Sequence, residues 1–194
     1  GHDIEDAAAY GWTVEGVKFD WPTLVAAKKK ELSRLEGIYD GVLDNANVDL
    51  FKGRAVLEDA HTVRIGDQTI RAENIIISTG GTPFVPDMPG AELAITSNEI
   101  FDLDDFPKRL VINGAGYIAL EFACIFAGLG ADVAVVYRGD MPLRGFDDDV
   151  RKAVHREMTE KGVTFRFESN ISGLEKSGDG LRVQLDDGES IDCD

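Results

Sequence analysis

Two cysteines, three histidines and no long apolar run set the first limits on this chain. Cys124 and Cys193 lie far apart in sequence and offer neither a disulfide framework nor metal-ligand spacing. Cys124, in the apolar run FACIFAGL, reads as a small core residue. Unpaired thiols fit a reducing compartment, so a cytoplasmic location is expected. No C-x-x-x-x-C segment occurs. No apolar stretch reaches membrane-spanning length and no secretory signal is visible, so no membrane partner is expected. Gly1-His2-Asp3 opens the chain without an initiator methionine. Positive charge is in deficit: 20 Lys and Arg stand against 36 Asp and Glu, a net charge of −16. Binding to nucleic acid needs a basic surface, so no nucleic-acid partner is expected. His61, beside a turn, and His155, in a helix, read as surface residues without partners. There is no internal repeat and no low-complexity tract.

What is present is a globular composition. Hydrophobic residues make up 43% of the 194 positions, enough for one or two domains. The richest stretch is LVINGAGYIALEFACIFAGLGADVAVVYRGDMPLRGFD, residues 110–147. Its order is strand (110–113), glycine turn (114–119), helix to about Leu129 with Gly130 ending it, and a second strand (132–137). That order gives meaning to the spacing Gly114, Gly116, Ala119, because a dinucleotide fingerprint must follow a strand and open a helix. Gly114 permits a tight turn. Gly116 lets the backbone approach a pyrophosphate, and Ala119 allows close helix–strand packing. The helix start, carrying Ala115, Tyr117 and Ile118 around it, offers free N–H groups and a positive dipole end to phosphate.

The end of the second strand bears on which dinucleotide is taken. An NAD site usually places an acidic residue there, accepting from the ribose 2′-OH. Here Tyr137 and Arg138 hold the place, with Arg144 following, and Asp132 and Asp140 sit off the strand's end. Two arginines suit a 2′-phosphate through charge-assisted hydrogen bonds. NADPH is therefore expected in preference to NADH.

The rest divides into two sections, residues 1–81 and 82–194. In the first, residues 4–10 read as a helix tail ending near Gly11. A longer helix follows, with Asp20 as cap and Pro22 in its first turn. Leu24, Leu32, Leu35, Tyr39, Val42 and Leu43 mark a stripe for burial. Short strands are expected at 48–51, 54–57, 62–65 and 68–70, with Gly66-Asp67 as a tight turn. The run 75–78, ending in Thr79-Gly80-Gly81, reads as a buried strand meeting a ligand crevice. In the second section, Pro83, Pro86 and Pro89 stiffen the connection. A helix (147–161) and a third strand (163–167) complete β-α-β-α-β. A hairpin (171–176 and 181–185) and a strand at 190–193 follow. Asn113, before the glycine turn, is positioned to cap it.

GAGYIALEFA followed by YRGDMPLRGFD resembles the NADPH domain of the glutathione reductases, within the class I pyridine nucleotide-disulfide oxidoreductase family. The likeness runs through FDWPTLVAAKKKELSRLEGIYDGVL, FKGRAVLEDAHTVRIGDQTIRAENIIISTGGTPFVPDMPG and TSNEIFDLDDFPKRLVINGAGYIA, in the family's order and over essentially the whole chain. It implies an α/β fold: a Rossmann-like NADPH-binding domain, three-layered with a β-meander, over 82–194. It also implies part of an FAD-binding domain over 1–81. The implied NADPH-binding residues are Gly114, Ala115, Gly116, Tyr117, Ile118, Ala119, Glu121, Arg138 and Arg144. Tyr117 would cover the flavin's nicotinamide face and swing aside for NADPH. Glu121, one turn on, would lie near the nicotinamide. Ala55, Thr79 and Gly80 are the implied FAD contacts, with Ser78 in place of the family's alanine. Tyr39 is implied to meet oxidised glutathione, the expected substrate, although its helical spacing equally suits a core position.

Three family features are not in the sequence: the N-terminal FAD fingerprint, the redox cysteine pair and the C-terminal interface domain with its histidine. The last strand of the NADPH domain is also missing, and Thr82 replaces a frequent arginine. The chain therefore reads as an internal piece of a longer, homodimeric enzyme, holding no catalytic residue and not competent by itself. Trypanothione reductase is an alternative, disfavoured because the meander from His61 to Ile75 is short. Dihydrolipoamide dehydrogenase would need an acidic residue near Arg138. An alternative of another class is a non-catalytic NADPH-binding module.

Overall fold

The computed structural model describes residue 4 and residues 6–194. Residues 1–3 and 5, and with them part of the helix tail expected over 4–10, lie outside the described residues. The first described element is a short 3-10 turn, Ala7–Tyr10, stopped by Gly11 at φ 83°.

The chain forms two compact units, residues 23–82 and residues 83–194 with the described part of 1–22. The expected sections met at 81/82. Packing assigns the segment up to Pro22 to the later unit because its aromatics are anchored there. Trp21 lies 5.7 Å from Phe106 and 5.6 Å from Phe126, ring centre to ring centre, and Phe19 lies 5.4 Å from Phe106. The Trp21 indole N–H donates to the Leu103 carbonyl at 2.7 Å. Buried indole N–H groups need such a partner.

In the unit of residues 23–82, helix α1 (Trp21–Asn45) leads into a meander of β1 (Ala55–Asp59), β2 (Thr62–Ile65) and β3 (Gln68–Arg71), antiparallel in that order. Ile65 pairs with Gln68, so Gly66-Asp67 is a two-residue turn as expected. The β1–β2 corner is closed by Asp59, which accepts from the His61 N–H at 2.7 Å and the Thr62 hydroxyl at 2.8 Å. These bonds hold its carboxyl below the ordinary range.

Four expectations fail in this unit. Residues 48–51 and 75–78 belong to no strand. No described strand pairs with them, and Ile76 and Ile77 stand 88% and 66% exposed. Extended apolar chain becomes strand only when a neighbour takes its N–H and C=O groups. The α1 stripe is likewise uncovered: Leu24, Leu32, Tyr39 and Val42 are exposed, and only Leu35 and Leu43 are half-buried. His61 is not partnerless, since its Nδ1 lies 3.1 Å from both the Ala72 and Glu73 carbonyls and donates to them.

The other unit is the α/β part. Strand β4 (Arg109–Asn113), helix α2 (Tyr117–Gly128), strand β5 (Asp132–Val136), helix α3 (Asp148–Glu160) and strand β6 (Thr164–Arg166) follow in order. The three strands are parallel, ordered β4-β5-β6. Each boundary lies within about two residues of the sequence expectation, a common scatter for element ends. Helix α3 starts sharply because the Asp147 carboxylate accepts from the Asp149 and Val150 N–H groups.

Alternation along β5 creates the layers. Val133 and Val135, both fully buried, face one side together with the buried Leu120, Ala123 and Phe126 of α2. Val136 faces the other side, in a cluster with Val111 and with Val183, Leu185 and Cys193 of a second meander. That meander is β7 (Ile171–Ser177), β8 (Gly180–Leu185) and β9 (Ser190–Cys193). Helix, parallel sheet and antiparallel sheet make the three layers expected. Cys193 belongs to this core, and burial pushes its thiol up. Cys124 does not: it is exposed, on the outward side of α2. The inward stripe is Leu120, Phe122, Ala123 and Phe126, and Cys124 falls one position beyond it. His155 is also no surface residue; it is half-buried, edge-on to Phe165 and Phe167 at 5.0 Å each.

The proline-rich connection docks on the meander through Gly90. Its φ is 77°, and a Cβ there would lie 2.0 Å from the Leu174 carbonyl oxygen. Leu174 donates its N–H to the Pro89 carbonyl at 2.8 Å, so the two backbones cannot separate freely. Gly90→Ala should destabilise this unit by about 2 kcal/mol, from the left-handed backbone and the clash together. Urea unfolding of the variant checks it; an unchanged midpoint would show that the connection is not seated on the meander.

Candidate functional site

The glycine turn leaves β4 with Gly114 at φ 117°, a conformation open to glycine and rarely to other residues. The Gly114 N–H donates to the Val136 carbonyl at 2.8 Å, tying the turn to the end of β5. Ala115 is buried. Gly116 is the N-cap residue of α2, at φ −77° and ψ 172°, with no side chain to satisfy the first helical N–H groups. The expected cap from Asn113 is not made among the described residues.

Gly116 is informative because nothing in the fold requires it. Its dihedrals are ordinary extended values, and a Cβ built there meets no atom within 4 Å. The open space lies in front of a helix N-terminus, where uncapped N–H groups and the dipole favour an anion. Glycine there keeps room for something outside the polypeptide. The turn therefore fits a dinucleotide pyrophosphate.

Tyr117 (60% exposed) and Ile118 (45% exposed) stand on the outer side of the helix start, and Ala119 is half-buried. Glu121 is exposed one turn after Tyr117, on the same face.

The loop after β5 carries Arg138 and Arg144, both exposed. Among the described residues neither forms an ion pair, so both guanidinium groups are available to a ligand. The backbone between them is firmly held. Pro142 is fully buried and Leu143 nearly so. Leu143 has φ 56°, unusual for a bulky residue. Its N–H donates to the Ala115 carbonyl at 2.8 Å. That one bond brings the arginine loop to the glycine turn. Strain of this kind persists only where surroundings over-determine it, and it clusters at ligand sites.

Sequence reasoning missed Leu143 and also Arg151. The Arg151 side chain turns back from α3, Nε donating to the Pro142 carbonyl at 2.8 Å and Nη2 to the Met141 carbonyl at 3.1 Å. An arginine near the acidic start of a helix gave no signal of this.

The remaining expected contacts belong to the other unit. Ala55 opens β1 and is exposed. Thr79 and Gly80 lie in the segment after β3, exposed, with Gly80 at φ 72°. Tyr39 is 68% exposed on α1, so it fills no core position within the chain.

A model of the family "Pyridine nucleotide-disulphide oxidoreductase" matches residues 3–194. The chain is 41% identical, over 100% of its length, to the glutathione reductase of Burkholderia cepacia, of which it spans 43%. It is 37% identical to the trypanothione reductase of Leishmania donovani, across 98% of this chain and 42% of that protein. The chain thus spans less than half the length of these relatives. Among solved structures, the Cu(II) complex of the HOCl-induced flavoprotein disulfide reductase RclA from Escherichia coli superposes with a TM-score of 0.81, covering 91% of this chain and 41% of that one, at 24% identity. The latter likeness is one of fold.

Proposed function

Since this chain belongs to the pyridine nucleotide-disulphide oxidoreductase family, we propose that it is the coenzyme-holding section of an NADPH-dependent flavoprotein disulfide reductase, with oxidised glutathione as substrate. The observation that carries the reading is the junction of two anion-binding features. An open glycine turn at a helix N-terminus meets a loop with two unpaired arginines, through the Leu143–Ala115 bond.

In this reading Gly114, Ala115, Gly116, Ile118 and Ala119 admit the pyrophosphate, and Arg138 and Arg144 hold the 2′-phosphate. Tyr117 and Glu121 line the approach toward the nicotinamide. Tyr117 is exposed enough to move without unpacking the core. Residues 82–194 form the NADPH-binding domain. Residues 1–81 contribute part of an FAD-binding domain, with Ala55, Thr79 and Gly80 against the FAD and Tyr39 toward glutathione. NADPH supplies the hydride and FAD relays the electrons to a disulfide; this chain's residues supply position and electrostatics. Neither cysteine serves as the redox pair, because Cys124 is exposed on one helix and Cys193 is buried in the meander core.

Glutathione is favoured over trypanothione by the compact meander, whose β2 and β3 are joined by two residues. The intact enzyme is proposed to be a cytoplasmic homodimer. Among the described residues, no helix is long and apolar enough to cross a membrane.

The test is made on the longest natural form of the protein that contains this chain. It should show a bound-flavin absorption band that NADPH bleaches and oxidised glutathione restores. A flavin band insensitive to NADPH would overturn the coenzyme assignment. Recovery with trypanothione disulfide but not with glutathione disulfide would move the substrate to the second reading.

A further inference from the structure

Arg151 is a half-buried cation in the first turn of α3, where the helix dipole disfavours positive charge. Its side chain is 17% exposed, so its position also carries a desolvation cost. What compensates is a full set of acceptors. Nε and Nη2 take the Pro142 and Met141 carbonyls at 2.8 and 3.1 Å. Nη1 takes the Asp148 carboxylate at 3.0 Å, and the Asp140 carboxylate lies 3.5 Å from Nη2.

Two of these acceptors are consecutive main-chain carbonyls of the loop between Arg138 and Arg144. A planar guanidinium spans such a pair, whereas an ammonium reaches one of them. The next residue, Leu143, is held by Ala115 at φ 56°. Nearer Arg138, the Gly139 carbonyl accepts from the Glu168 N–H at 3.0 Å. The loop is thus fixed at successive points of its backbone, while the Arg138 and Arg144 side chains form no ion pair with a described residue.

We propose that Arg151 is a positioning residue for coenzyme choice. It holds the loop in the shape that presents Arg138 and Arg144 together, and touches no part of the ligand. The inference rests on the reading that this loop takes the 2′-phosphate. Its effect falls on that phosphate alone, because the pyrophosphate end is set by Gly114 and Gly116.

The experiment compares 2′,5′-ADP with 5′-AMP by calorimetry on the full chain, in wild type, Arg151→Met and Arg151→Lys. Misplacing the binding groups by an ångström or so should cost Arg151→Met about tenfold or more in affinity for 2′,5′-ADP. Its 5′-AMP affinity should stay within about twofold, which also certifies the fold. Arg151→Lys should recover part of the loss, through a single carbonyl. Equal weakening of both nucleotides would make Arg151 a general structural residue and overturn the proposal, as would an unmoved ratio in both variants. A wild type that does not prefer 2′,5′-ADP fails before any substitution is made; that result overturns the coenzyme reading and this inference with it.

Discussion

Gly116→Val should leave the chain folded and unable to hold NADPH or NADH. The extended dihedrals of Gly116 suit valine, and the Cβ enters space with no atom within 4 Å. The folded state therefore loses only the difference between a glycine and a valine N-cap, about 1 kcal/mol. The ligand loses far more. The new methyl groups occupy the approach to the helix N-terminus, so the phosphates are held away from the N–H groups and the dipole. Two or more charge-assisted hydrogen bonds of about 2 kcal/mol each are then not made, a loss of about a thousandfold in affinity. Circular dichroism and nucleotide titration of the same sample separate the two quantities. Undiminished binding of both nucleotides would show that the turn is not the pyrophosphate site. Gly114→Val makes the contrast. At φ 117° it strains the backbone itself, so its defect should appear first in stability.

Replacing Arg138 and Arg144 together by leucine should weaken NADPH about a hundredfold and leave NADH nearly unchanged. Each guanidinium–phosphate bond contributes about 1.5–3 kcal/mol. The lower figure applies here because both arginines are exposed and the phosphate stays hydrated without them. Two such losses come to about 3 kcal/mol, or roughly two decades. Neither arginine side chain pairs with a described residue, so unfolding should shift by no more than about 0.5 kcal/mol. Raised salt should narrow the wild-type gap between NADPH and NADH, and do little in the variant. Equal weakening of the two coenzymes by the double substitution would falsify the assignment of the 2′-phosphate to this loop.

The parts of the fold legible in sequence were those whose cause is local. The glycine spacing, the Gly130 stop of α2 and the aspartates opening α3 each act within one turn of chain. The β-α-β-α-β unit therefore emerged almost residue for residue. The failures share the opposite cause. Residues 48–51 and 75–78 have strand composition, but a strand is made by a neighbour, and no described strand pairs with them. The α1 stripe has helical spacing without a cover, and the same period left open whether Tyr39 was buried. Cys124 was misread because apolar residues surround α2 on both sides, which blurs its inward stripe.

At the candidate site, sequence named the groups proposed to face a ligand and missed the residues that hold their backbone. Arg138 and Arg144 could be placed by their distance from the glycines. Arg151 could not, because the acceptors that tie it to the loop backbone are the Met141 and Pro142 main-chain carbonyls, and carbonyls have no letter. Nor did the local sequence mark Leu143 as the residue whose N–H would reach Ala115.

The anchoring of the arginine loop by its backbone bears on descent as well as on binding. Pro142, Leu143 and Arg151 hold its path, whereas the side chains at 138 and 144 pair with no described residue. Selection can rewrite the two outward positions as freely as a label on a fixed handle. On the proposed assignment of the 2′-phosphate to this loop, substitutions at these two positions should change coenzyme choice while leaving the fold intact.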